Sequence, residues 1–261
     1  MGPGTAVLLV LIVAAATTAA LLSRGRSPSV LLKSLSAAWP WLLLLVMSNA
    51  VELAMNRAVP LSSPVGVHIT SFTSSFLPGI PSWLQAVLPA DPLVLALGLA
   101  YILGLPFVLI VVPLTLAWRG EVPALRTYCL CLAIAYVSGI ALHLAFPSAR
   151  PSLHPGSGIL PLLYSDPVLG PLHSDLGTPG RSFPSWHVTQ LSAALFALID
   201  RRHARVALSA VLAITALAVL FLGVHWPADV IGGLILGAGA ALIGRETMKR
   251  WEEGSKGFRT R

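Results

Sequence analysis

Seven apolar stretches, at roughly 5–23, 37–55, 93–118, 122–146, 187–200, 205–222 and 228–245, constrain this chain more than any other feature. A helix crossing the hydrocarbon core of a bilayer needs about 20 apolar residues, within a range of about 17–25. The fifth stretch is short and needs help from the residues before it. Only 10% of the residues are charged, against about 25% in an ordinary soluble domain. The expected fold is therefore all-α: a polytopic membrane bundle of about seven transmembrane helices. No basic residue precedes the first stretch, because Arg24 is the first positive charge. A secretory signal carries its basic region ahead of the apolar run, so 5–23 reads as a span with its N-terminus outside. Cys129 and Cys131 point to different faces of a helix and read as small apolar fillers.

The basic residues orient the bundle. Arg24, Arg26, Lys33, Arg119, Arg126, Arg201, Arg202, Arg205 and the six basic residues from Arg245 to Arg261 fall on one side of a seven-span arrangement. These are 14 of the 17 Lys and Arg residues, with only Arg57, Arg150 and Arg181 opposite. Positive residues gather on the cytoplasmic side, which places the N-terminus outside and the C-terminus in the cytoplasm of a multi-pass cell-membrane protein. The net charge of +7 is then an orientation signal whose partner is anionic inner-leaflet lipid, and no nucleic-acid partner is expected. Three regions follow: 1–92 with N-terminal spans and an outer loop, a transmembrane core at 93–245, and a basic cytoplasmic tail at 246–261. The loop at 57–92, with Trp83, reads as an interfacial cap. A second outer loop, 147–186, is too long for a simple connector.

Polar residues converge on the outer ends of the spans. Arg150 ends span four; Arg181, Ser182, Ser185 and His187 open span five; His225 and Asp229 open span seven. Ionisable groups at such a depth are costly and are functional candidates by default. Asp229 lies one helical turn beyond His225 and can accept a hydrogen bond from one imidazole nitrogen, leaving the other a lone pair. That makes a nucleophile or base. Pro184 and Ser185 look like a helix opening, with Ser182 or Ser185 as cap. The exposed N–H groups there favour an anion. His187 is placed to donate a proton, and Arg150 and Arg181 to neutralise a phosphate. Together these groups describe phosphoryl transfer. His68, His154, His173 and His203 read as structural.

"RP" at Arg150–Pro151, "PSWH" at Pro184–His187 and "HWPAD" at His225–Asp229 resemble the three signature motifs of the type-2 phosphatidic acid phosphatase superfamily. The resemblance covers roughly residues 93–245 and makes that region a catalytic core. It implies a core of six spans with the first span an addition, a phosphohistidine formed on His225, Asp229 as its orienter and His187 as the acid. Arg150, Ser185 and the amide of Trp186 would hold the phosphate, and no metal or other cofactor is implied. The substrate implied is a lipid phosphate or polyprenyl diphosphate at the extracytoplasmic face.

Two positions depart from the family pattern. His143 stands where its first motif usually has lysine, and Ala218–Val219 where its last motif has Ser-Arg. Arg181 and His143 are the candidates to compensate as phosphate-binding residues. A chain lacking that arginine but keeping "FPSxH" and "HxxxDV" is similar to the branch of inositol phosphorylceramide and sphingomyelin synthases, so a lipid phospho-headgroup transferase is the alternative. A non-catalytic lipid-binding protein is the third reading. Glu52, Asn49 and Asn56 near the end of span two would contact a headgroup hydroxyl or bond between helices, the latter preferred. Gly233-x-x-x-Gly237 reads as an internal helix contact, and no oligomeric state follows from it.

Overall fold

A computed structural model describes residues 3–58, 66–88, 90–176 and 182–259. Among the described residues there are eleven α-helices and no strand: α1 (Pro3–Leu22), α2 (Pro28–Ala58), α3 (Thr70–Ser75), α4 (Gly79–Val87), α5 (Ala90–Trp118), α6 (Val122–Ala145), α7 (Leu162–Ser165), α8 (Leu169–Leu176), α9 (Trp186–Ala197), α10 (Arg202–Phe221) and α11 (Pro227–Arg259). A short 3-10 turn, Pro151–Leu153, lies between α6 and α7. Helices are the solution a bilayer demands of such a chain, because each backbone N–H and C=O must be satisfied within the span. Five segments are long and apolar enough to cross: Pro28–Met55, Pro92–Trp118, Val122–Ala145, Arg202–Phe221 and Pro227–Ser255. The protein is an all-α, polytopic membrane protein.

The fifth expected span differs in length. α9 has 12 residues, about 18 Å at 1.5 Å per residue, well short of a hydrocarbon core of about 30 Å. The residue before a proline is pushed out of the helical region, so Phe183–Pro184 bars an earlier start. Residues 182–185 just ahead of α9 are non-helical, and two of their backbone N–H groups are bonded across the bundle. Ser182 N–H donates to Ser148 O at 2.9 Å and Ser185 N–H to Asp229 O at 2.9 Å.

α9 is the axis of the bundle. Val188 to Leu195 are all buried, enclosed by α6, α10 and α11 in one core that includes Leu132, Leu191 and Phe221. Gly233 and Gly237 face α9, as an internal contact requires. A Cβ at Gly237 would lie 2.3 Å from Thr189 O, and one at Gly233 2.8 Å from Ser185 O. Cys131 is packed in the same way, since a Cβ on Gly244 would meet its Sγ at 2.7 Å. α1 joins the periphery, with Ala15 and Ala19 against Val111 of α5 in a separate small cluster.

The loop at 147–176 is folded down by a single polar side chain. Gln85 of α4 donates from Nε2 to Leu160 O (3.0 Å) and Phe221 O (2.9 Å) and accepts from Leu160 N–H (2.9 Å). The loop at 147–176 is thereby fixed over the end of α10. α11 continues as helix to Arg259, so the basic tail extends the last span.

Candidate active site

The site forms where the chain leaves α6. Ile69 N–H donates to Pro147 O at 3.0 Å, Ala149 N–H to Thr70 Oγ1 at 2.9 Å, and the Ser148 and Thr73 hydroxyls meet at 2.7 Å. These bonds hold the short segment 147–149 that delivers Arg150. Both other motifs then attach to it. Ser182 Oγ donates to Ser148 O and Ala149 O, each at 3.2 Å, and Trp226 Nε1–H to Ala149 O at 3.0 Å. With the Ser185–Asp229 backbone bond, residues from three distant stretches are locked at one end of the bundle.

His225 and Asp229 are paired. The His225 Nδ1–H points to Asp229 Oδ2 at 3.3 Å, and the same oxygen accepts Trp226 N–H at 2.8 Å. Asp229 lies in the first turn of α11, where the helix dipole favours a carboxylate. Pro227 opens that helix, since its missing N–H costs nothing at the first position. Val219 occupies the place of an expected arginine. It is fully buried, and its carbonyl accepts the backbone N–H groups of Val224 (3.0 Å) and His225 (3.1 Å). The backbone of Val219 thus positions the histidine.

His187 stands in the first turn of α9, its ring 4.2 Å from that of Tyr101 and within electrostatic range of His225, His173 and Arg150. Arg150 is 6% exposed, with its guanidinium 5.6 Å from the Tyr164 ring centre. Burial lowers its pKa from the usual arginine value, opposed by Tyr101 and Asp229. Ser185 is the residue before α9, yet its side chain makes no capping bond. Its hydroxyl is buried without a partner. The N–H groups of the first helical turn, Trp186 included, have no partner inside the helix, so this terminus faces the site as an anion would require.

His143 lies beside the start of α9. Its Nε2 lies 2.8 Å from Pro184 O and its ring 5.1 Å from Trp186, so it braces the approach to α9. Trp186 also meets Tyr136 at 5.3 Å and sits where a Cβ on Gly139 would intrude, 2.3 Å from its ring. Asn49 donates to Tyr136 Oη at 2.8 Å, an interhelical bond between α2 and α6. The side chain of Asn56 and the whole of Arg181 lie outside the described residues. Among the described residues, no three His, Cys, Asp or Glu side chains gather as a metal ion would require.

Three neighbours are absent from the motif reading: Tyr101, Tyr164 and His173. His173, taken from the sequence as structural, is buried and stacks on Tyr101 at 5.9 Å. Burial, then the nearby Arg150, pushes its pKa down to about 4. The sequence signal is a set of polar aromatics near the same ends of the spans as the motifs, but only the folded loop brings them to Arg150.

A membrane helical bundle with a buried histidine–carboxylate pair, a second histidine and a buried arginine at one end defines a class of integral-membrane enzyme site. A family model for the PAP2 superfamily matches residues 67–243, and the chain belongs to that superfamily. The match runs from just before α3 into α11, takes in all three motifs, and leaves α1 and α2 outside. The match is to the superfamily as a whole. Membership supports a phosphatase-type enzyme of lipid phosphates. No curated protein and no solved structure matches the chain.

Proposed function

We propose that the protein hydrolyses a lipid phosphate or polyprenyl (di)phosphate through a phosphohistidine at the extracytoplasmic face of the membrane. The observation that carries this reading is the His225–Asp229 pair, held by backbone bonds beside Arg150 and the start of α9. Asp229 accepts the Nδ1 proton, so the Nε2 lone pair of His225 attacks phosphorus. The P–N bond forms as the P–O bond to the leaving group breaks, and His187 gives its proton to the departing oxygen. Water then attacks phosphorus, a P–O bond forming as the P–N bond to His225 Nε2 breaks; His187 takes the water's proton, and phosphate leaves. Arg150, the Trp186 amide and the Ser185 hydroxyl hold the phosphoryl oxygens against the charge that develops. Arg181 supplies a second cation, so Arg181→Ala should raise KM, and an unchanged KM would remove that role. The charge pattern favours a site facing away from the cytoplasm, with the phosphate at headgroup depth and the lipid tails between helices.

The absence of arginine at Val219 favours a second reading, in which an alcohol resolves the phosphohistidine and a phospho-headgroup is transferred. One experiment separates the readings. Purified protein in lipid micelles receives labelled lipid phosphates or phospholipids, with and without candidate alcohols. Release of label into water supports hydrolysis; its appearance on the alcohol supports transfer. Undiminished turnover by His225→Ala would sink the mechanism in both forms, and no turnover by the wild type on any substrate would favour a non-catalytic lipid-binding protein.

A further inference from the structure

The site has an aromatic wall that lies outside its three motifs. Tyr101 of α5 packs on His187 at 4.2 Å, and His173 of α8 stacks on Tyr101 with planes 15° apart. Tyr164 of α7 meets His173 edge-on at 5.4 Å, and the Arg150 guanidinium lies against the Tyr164 ring. A continuous chain of rings thus runs from the proposed acid to the proposed phosphate cation.

Tyr164 carries the unexplained group. Its ring is fixed by His173 and Arg150, but its hydroxyl is shut off from solvent with no hydrogen-bond partner. A buried hydroxyl left in that state destabilises the fold, and such a group in a native protein calls for a functional explanation. It has company: the hydroxyls of Ser152, two residues beyond Arg150, and of Ser185 are also buried and unpartnered. Ser152 and Ser185 belong to the segments that carry Arg150 and open α9, and the Tyr164 ring lies against the Arg150 guanidinium. Phosphoryl oxygens need donors there, and His143 and Val219 stand where the family has cations.

We infer that Tyr164 is a phosphate-binding residue, its hydroxyl donating to a phosphoryl oxygen held by Arg150, and that His173 is the positioning residue that holds its ring. Neutral donors thereby take over part of the task of the absent lysine and arginine. The inference rests on the proposed reading of this site as a phosphate site.

The test uses the full-length protein in detergent and inorganic phosphate as the probe, with affinity from calorimetry and stability from thermal unfolding. Tyr164→Phe keeps the ring and its packing. It should weaken phosphate binding by about ten- to a hundredfold, the scale of one hydrogen bond to a charged group. The melting temperature without phosphate should stay the same or rise, because an orphan hydroxyl has gone. His173→Ala should also weaken binding, and His173→Phe, which restores a ring, should recover it. Wild-type affinity in Tyr164→Phe overturns the inference, as does a fall in its phosphate-free melting temperature that accounts for the loss. Equal weakness in both His173 variants removes the positioning role. A folded wild type that binds no phosphate overturns the phosphate reading itself, a result distinct from any of these.

Discussion

Arg150 and Arg201 stand at opposite ends of the bundle, in surroundings that differ in almost every respect. Arg150 is 6% exposed and lies among the aromatic rings and histidines of the site. The segments around it are tied to one another through backbone atoms: Ser148 O, Ala149 O, Asp229 O and Pro184 O each accept a bond from a residue far along the chain. Arg201 has 40% of its side chain exposed and pairs with Glu121, close to Arg119 and the Asp200–Arg245 pair. One end spends its polar groups on a fixed geometry inside the protein. The other spreads charge over a wet surface, where side-chain motion and screening weaken every pair. Polar density alone therefore does not mark a site; burial joined to backbone-level fixation does.

The largest break in that contrast should come from the site end. Asp229→Asn preserves shape but removes the acceptor that fixes the His225 ring. An amide N–H₂ facing Nδ1 favours the wrong tautomer and takes away the compensating charge. Turnover should fall about 10³–10⁴-fold, the scale of losing an orienting carboxylate from a nucleophile–histidine system, with little change in substrate affinity. Single-turnover kinetics with labelled substrate checks both. Equal turnover would show that Asp229 serves only to hold Trp226 N–H.

A smaller effect should come from acid. The unfolded chain protonates His173 near pH 6.5, whereas the folded protein resists protonation until about pH 4. Between those values acid favours the unfolded form, so the contribution of His173 is complete above about 6.5 and declines as the pH falls towards 4. The full difference corresponds to about 3 kcal/mol. Melting temperature in detergent should drop across this window, and His173→Phe should flatten the drop. A variant as acid-sensitive as the wild type would assign the transition to another group.

The same contrast explains what could be read in the sequence. Spans depend on runs of apolar residues, which are local in the chain, and the long helices fall where the runs do. The motif residues stand out in the sequence because ionisable groups at the ends of spans have few structural uses. The shortness of α9 was legible too, but not its end, since the apolar run from Val188 continues past Ala197 into Leu198 and Ile199, which turn outside the helix. Nor were the bonds that build the site. Thr70 and Gln85 look like ordinary loop residues until Ala149 and Leu160, 79 and 75 positions away, are brought to them. His173 and Tyr164 gain meaning only when their loop folds over Arg150. Val219 marks the limit most sharply: a missing arginine is visible in the sequence, but its backbone carbonyl holding His225 is not.

The smallest effect should come from the basic end, and it tests the contrast from the opposite side. Arg201→Ala removes the contact with Glu121 and leaves that carboxylate, 27% exposed, still reached by water and near Arg119. No buried charge is stranded, so stability should change by less than about 1 kcal/mol and turnover should be unchanged. Thermal unfolding at low and high salt, with a turnover assay, checks both, and the small loss should shrink as salt is added. A loss of several kcal/mol would mean that this end is as tightly specified as the site, and that Glu121 fixes the turn between α9 and α10 on which the depth of His187 depends.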